Sequence, residues 1–293
     1  MNRKNFLKLM ALAPLTAAAM KINELSKLFE AGTNSEKMPV LFLGHGSPMN
    51  AIEENEFVAG FREMGNQLQK PDAVLCISAH WETRGTYVTA MSKPRTIHDF
   101  GGFPRELFEV QYPAPGSPAL AEETRRLITA TEVGMDHNWG LDHGAWSVIK
   151  HLYPDADVPV IQMSIDYSKP ASYHYELAGQ LRALRNKNVL IVGSGNMVHN
   201  LRMVDWRRLN ETFAFDWAQE ADTKMRAWIR SGNHESLIDF RSQGRAFDLA
   251  IPTPEHYLPL LYVLALQDKN EEAVLFNDKP VAGALTMTSV KIG

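Results

Sequence analysis

Four short runs of almost uninterrupted apolar residues, each broken at its carboxyl end by glycine, histidine or aspartate, constrain this chain more than any other feature. Residues 39–43 run into Gly44-His45-Gly46-Ser47-Pro48, and residues 73–78, with Val74, Leu75 and Ile77, run into Ala79-His80-Trp81. Residues 158–165 stop at Asp166, and residues 189–192 stop at Gly193-Ser194-Gly195-Asn196. Runs of this length without polar alternation suit strands buried on both faces, as in a parallel sheet. A fifth strand-like stretch, 284–292, does alternate, which predicts a sheet edge.

Helical patterns fall between these runs. Ser117-Pro118 is a favourable helix start, with Ser as N-cap and Pro as the first helical residue. Behind it Leu120, Thr124, Leu127 and Ile128 share a face. Leu177, Leu181 and Leu184 form a second stripe, and Trp217, Ala221, Met225 and Trp228 a third that ends before Gly232. Residues 257–266 are nearly all apolar and predict a buried helix. Alternating strands and helices predict an α/β fold: one domain with a mostly parallel or mixed central sheet flanked by helices. Its active site is expected at the carboxyl ends of the strands, where loops converge.

The domain is expected over 38–293, after a polar linker at 31–37. Residues 1–37 differ in character: Arg3, Lys4 and Lys8 precede an apolar stretch that closes on Ala17, Ala18 and Ala19, the order of an export signal. The segment resembles a twin-arginine signal, with Lys4 where the second arginine usually stands. Export to the periplasm is the expectation; without it the chain stays in the cytoplasm. No apolar run reaches the eighteen or so residues of a spanning helix, so no stable membrane span is expected. The net charge of -4 is dispersed, unlike the basic stripe of a nucleic-acid binder. The single cysteine, Cys76, cannot form an internal disulfide or a zinc–thiolate site, and its apolar run predicts a buried hydrophobe.

Any metal must therefore rest on nitrogen and oxygen, and ten histidines are available. His45, His80 and His199 lie at or beyond the ends of separate apolar runs, distant in sequence and able to meet at one sheet edge. His256 is a fourth candidate, placed by Pro252 and Pro254 in the first turn of the apolar helix, with Glu255 beside it as an alternative carboxylate. Imidazoles with one carboxylate suit iron(II), and three or four imidazoles suit zinc equally well. Asp142-His143 and His98-Asp99 are adjacent pairs in which an acid can orient an imidazole for general-base work. His137, His151, His174 and His234 read as bystanders. The glycines around Ser194 lack the lysine of a phosphate loop, and Gly46-Ser47-Pro48 is no nucleophile elbow.

The motifs Leu41-Phe42-Leu43-Gly44-His45-Gly46-Ser47-Pro48-Met49, Ser78-Ala79-His80-Trp81 and Thr96-Ile97-His98-Asp99-Phe100-Gly101-Gly102 resemble the class III extradiol ring-cleavage dioxygenases, most closely a bacterial 4,5-DOPA dioxygenase branch. Tyr112-Pro113-Ala114-Pro115-Gly116, Asp142-His143-Gly144, Gly195-Asn196-Met197-Val198-His199-Asn200 and Thr253-Pro254-Glu255-His256-Tyr257 continue the match in order. The resemblance implies one divalent metal per chain, Fe(II) for activity with Zn(II) as an alternative bound form. It implies His45 and His80 as ligands, with His256 completing the set. His199 matches a metal-proximal ligand of zinc-loaded forms and also an acid–base residue, and His143 a substrate-side catalytic histidine; His98 and Asp99 fall on the substrate side.

The implied reaction is extradiol opening of a catechol by O2, in the nearest branch 4,5-cleavage of DOPA to 4,5-seco-DOPA. Two readings from other classes compete with it. One is a zinc hydrolase using metal-bound hydroxide on the same imidazoles. The other is a non-catalytic metal- or catechol-binding protein of the envelope.

Overall fold

A computed structural model describes residues 37–209 and 211–293; the export-signal-like segment lies outside them. The strands are β1 (Val40–Gly44), β2 (Ala73–Thr83), β3 (Thr86–Thr89), β4 (Val133–Asp136), β5 (Val160–Asp166), β6 (Val189–Gly195), β7 (Ala273–Phe276), β8 (Pro280–Val281), β9 (Leu285–Thr286) and β10 (Ser289–Ile292). The helices are α1 (Glu56–Gln67), α2 (Arg105–Phe108), α3 (Pro118–Leu127), α4 (His143–Leu152), α5 (Ala171–Gly179), α6 (Asp216–Ser231), α7 (His234–Ile238), α8 (Arg245–Ala250) and α9 (Leu258–Leu264).

Eight strands form one mixed sheet in the order β4-β3-β5-β2-β6-β1-β10-β7. The four apolar runs are its centre, β5-β2-β6-β1, and all three pairings among them are parallel. Their carboxyl ends therefore open on the same edge. Period-two alternation sends successive side chains to opposite faces. Val40 and Phe42 of β1 enter one core with Leu177 of α5, Ala221 of α6 and Leu261 of α9. Leu41 and Leu43 enter the other, with Phe61 of α1 and Trp146 of α4. Cys76 is buried in this second core, and burial pushes its thiol pKa up. Residues Met38–Gly293 form one compact unit.

Local starts and stops follow the chain's chemistry. The Ser117 hydroxyl accepts a hydrogen bond from the Leu120 amide ahead of Pro118, and α6 ends on Gly232 at φ 69°, where the missing Cβ removes the steric penalty. The leucine stripe 177–184 is interrupted: α5 stops at Gly179 and a 3-10 turn, Arg182–Lys187, carries Leu184 into the core.

Four expectations need correcting. The 284–292 stretch is not one edge strand: β9 pairs with β8 in a separate two-stranded sheet, while β10 lies between β1 and β7, and β7 forms the rim. The polar residues of the stretch are buried with the apolar ones, Ser289 accepting from the Gly44 amide and Thr288 bonding Asp278, and among them only Lys291 is part-exposed. Gly193-Ser194-Gly195 is not a loop but the end of β6, fully buried. There the chain before α9 crosses so closely that a Cβ on Gly195 would lie 2.1 Å from the His256 carbonyl oxygen. β2 runs on past residue 78 to Thr83, with a register shift between Ile77 and Glu82, so His80 lies within a bulged strand. Finally, His256 precedes α9 instead of starting it, because the turn from Pro254 to Tyr257 and Leu258 closes first.

One bystander histidine yields a stability prediction. His174 is fully buried, its Nδ1 2.9 Å from the Tyr262 hydroxyl, and burial holds its pKa down to about 4. Unfolded, it titrates near 6.5, so below that pH the unfolded chain binds a proton that the fold refuses. Stability is therefore lost as pH falls from about 6.5 to about 4, by about 3 kcal/mol from this residue. Urea unfolding of metal-free protein should show the loss between pH 7 and pH 4. The His174→Gln variant should show a shallower one, and equal slopes would mean the ring is not held neutral.

Candidate metal centre and active site

The sheet edge brings together the histidines that the sequence scatters. His45 follows β1, its amide bonded to the Gly195 carbonyl of neighbouring β6, and its side chain is buried. Its Nδ1 lies 3.0 Å from Ser194 Oγ. The Ser194 hydroxyl donates to the Gly144 carbonyl, so its oxygen is left to accept. His45 therefore carries its proton on Nδ1 and presents the Nε2 lone pair. That lone pair faces His80 Nε2 at 3.2 Å.

His256 repeats the arrangement. Its Nδ1 is 3.1 Å from Glu255 Oε1, which also accepts from the Thr253 hydroxyl, leaving Nε2 as the free donor atom. Its backbone is pinned by the Asn196 amide at the end of β6. The His256 ring stands 5.3 Å from that of His45 and 5.0 Å from that of His80. Between Glu255 and His256, it is His256 that joins His45 and His80, with one ligand atom from each within 4.8 Å of the others. Glu255 supports it from behind.

This donor set fits a divalent cation. Two nitrogens about 2.1 Å from one ion and about 90–110° apart stand about 3.0–3.4 Å from each other. The His45–His80 separation of 3.2 Å lies in that range. A metal-binding imidazole must be neutral, and burial followed by the mutual proximity of these rings holds His45 and His256 well below their usual range. Burial and the neighbouring His143 do the same to His80. The Ser194 and Glu255 contacts are the supporting partners that fix ring orientation in metal sites.

His199 is placed differently. It follows β6, bridges to Leu285, and stacks on His256 with ring centroids 3.6 Å apart and planes within 8°. Its nearest potential co-ligands are Glu255 and His256, not the His45–His80 pair. Burial holds its pKa down to about 4.

His143 opens α4 and packs on His80 with centroids 3.8 Å apart. Its sequence neighbour Asp142 does not orient it. Asp142 caps α4 and accepts from Ser78 and Gln162, while burial and the charge of Asp99 raise its pKa. The acid that orients His143 is Asp99: Oδ1 takes the His143 amide at 2.8 Å and Oδ2 meets Nδ1 at 2.9 Å. Burial works against the Asp99 charge, but the hydrogen bonds from His143 outweigh it and hold the carboxyl below its usual range. Asp99 Oδ2 is also 3.5 Å from His80 Nδ1, so one carboxylate serves both rings. His98 turns away from its neighbour, its Nε2 2.9 Å from the Val110 carbonyl oxygen and its ring among Phe100, Phe108 and Trp146.

Sequence reasoning passed over Ser194 as a weak phosphate-loop residue and paired Asp142 with His143 by adjacency. The available signal was the helix-start pattern at Asp142, which commits its side chain to backbone amides. Of the bystanders, His151 bonds the Asn50 carbonyl, His234 joins Tyr175 and Gln267, and His137 is exposed.

The chain is similar to known proteins over most of its length. Residues 39–285 match the model of the catalytic LigB subunit of aromatic ring-opening dioxygenase. The 4,5-DOPA dioxygenase extradiol of Escherichia coli K12 is 46% identical over 264 residues, covering 89% of this chain and 96% of that protein. The Beta vulgaris protein of the same name is 33% identical, covering 89% and 98%. The crystal structure of an uncharacterized protein from Escherichia coli K12 superposes with a TM-score of 0.76 at 42% identity, covering 87% of this chain and all of that one.

Proposed function

The chain belongs to the LigB family of aromatic ring-opening dioxygenases, and from that membership we propose that it opens the ring of DOPA between C4 and C5, giving 4,5-seco-DOPA, with Fe(II) held by His45, His80 and His256. The substrate is inferred from bacterial and plant relatives named 4,5-DOPA dioxygenase extradiol, which match over nearly the whole chain. The observation that carries the reading is local. Three imidazoles present their donor atoms to one point, and a fourth, His143, stands against them with its other nitrogen on Asp99.

A bound metal at this point supplies Lewis acidity toward the catechol oxygens and electron exchange with O2, which iron provides and redox-silent zinc does not. The protein moves the protons. With Nδ1–H directed to Asp99, His143 keeps a free Nε2 lone pair to take a hydroxyl proton from the catechol and return it as the ring opens. His199, neutral at pH 7 in its buried stack on His256, is the second group for the same duty. Both atoms of O2 enter the product, one in the new carboxyl and one in the new aldehyde, so no external reductant is consumed.

The test is oxygen uptake by anaerobically Fe(II)-loaded protein given L-DOPA, with absorbance followed for a yellow ring-opened product. Uptake with yellowing is expected with Fe(II) and not with Zn(II). No uptake with DOPA or with simpler catechols would remove the proposal in favour of a zinc hydrolase.

A further inference from the structure

The turn that follows Asp99 has no role in holding a metal or a proton, yet it sets a phenylalanine against the catalytic cluster. The Phe100 ring meets His143 edge-on, with centroids 5.5 Å apart and planes at 82°. Behind it stand Phe103 at 5.5 Å, Phe108 at 5.0 Å and Trp146 at 6.3 Å. Phe100 and Phe103 are only half-buried, and Phe108 is exposed, unlike Trp146, which is core. An aromatic cluster built solely for packing would bury the rings it gathers.

The backbone beneath Phe100 is fastened at its ends and, between them, only through the side chains of His98 and Asp99. Ile97 is fastened by the Leu141 carbonyl and by the Trp146 indole, and Leu107 by Pro104 as α2 begins. Between them, among the described residues, residues 98–103 make no backbone hydrogen bond. Gly101 and Gly102 have open space where a Cβ would sit, and Gly102 lies at φ 78°. Gly101 and Gly102 leave that side of the turn open, so Phe100 is placed by the Asp99 anchor that precedes it and by the rings it touches.

We propose that Phe100 is the specificity-determining contact for the substrate's aromatic ring, the wall against which the ring packs on the His143 side of the cluster. This rests on the ring-opening reading above. A half-buried phenyl edge beside the acid–base histidine offers an aromatic ring the offset or edge-to-face contact that such pairs prefer. It offers little to an aliphatic diol presenting the same two oxygens.

A contact made equally with bound substrate and with the transition state changes KM and leaves kcat alone. Phe100→Ala should raise KM for L-DOPA and for unsubstituted catechol about tenfold, about 1.4 kcal/mol of binding, with kcat within about twofold. Phe100→Tyr should restore most of the loss. Anaerobic calorimetry of catechol binding to the full-length Zn(II)-loaded protein provides a readout without turnover, and the variant should bind about tenfold more weakly. If wild type binds catechol and Phe100→Ala binds it equally well, the inference fails and the ring-opening reading stands. If kcat falls while KM holds, Phe100 acts by positioning His143 and the inference is overturned. If wild type binds catechol, weakened by Phe100→Ala, but consumes no oxygen with Fe(II), the ring-opening reading fails and the contact survives. If wild type does not bind catechol at all, both fall.

Discussion

Replacing His80 with alanine is expected to abolish oxygen uptake and to strip the protein of metal. His80 is the central member of the cluster: its Nε2 faces His45, its ring lies on His143, and its Nδ1 looks toward Asp99. Its removal leaves two imidazoles, which is one ligand short of the three protein ligands usual in catalytic sites. Loss of a mere supporting partner costs about 10–100-fold in metal affinity or activity, and loss of the ligand itself should exceed that. Metal analysis after dialysis should find stoichiometric metal in wild type and little in the variant. A linked measurement excludes simple misfolding. Metal should raise the melting temperature of wild type by mass action and leave that of His80→Ala unchanged. The exposed His137→Ala should behave as wild type in every assay. Full metal occupancy in His80→Ala would dismantle the three-histidine site.

His143→Ala is expected to keep its metal and lose turnover by about 100–10,000-fold, the usual span for a positioned acid–base group. His143 is not among the three imidazoles that converge, and its Nδ1 is committed to Asp99. Asp99→Asn should fall between wild type and His143→Ala. It keeps the shape but loses the carboxylate that fixes the tautomer, a supporting role worth about 10–100-fold. Asp142→Asn has another signature, lower stability in place of a selective loss of kcat, because Asp142 bonds Ser78, Gln162 and the start of α4. If His143→Ala and His199→Ala each retained full turnover, neither histidine would be the proton carrier.

The two predictions depend on different kinds of information. That His45 and His80 meet at one sheet edge was legible from the chain, because each follows an apolar run of the parallel centre, although β2 carries on past His80 to Thr83. All four runs are joined side by side by three parallel pairings, so their carboxyl ends open on one edge. His256 was legible as a candidate, and the choice between it and Glu255 was not. Adjacent residues compete for one direction, and only the backbone turn from Pro254, with Asn196 bonded to the His256 carbonyl, decides which side chain faces inward. The pairing of His143 with Asp99 instead of Asp142 was hidden for the same reason. The two are 44 residues apart, and Asp142 was already taken as a helix cap.

The sequence by itself determined the classes of element, the burial of the four runs and the reservoir of nitrogen ligands. Those properties follow from hydrophobic periodicity and residue chemistry, which are local. Tertiary structure alone decided that β10 is interior, that β2 bulges to set His80, and that Gly195 admits the chain carrying His256 while Gly193 admits α9. It also decided which acid serves which histidine. Each of these depends on contacts between segments distant in the chain, and close packing fixes such contacts only when the whole sheet is assembled.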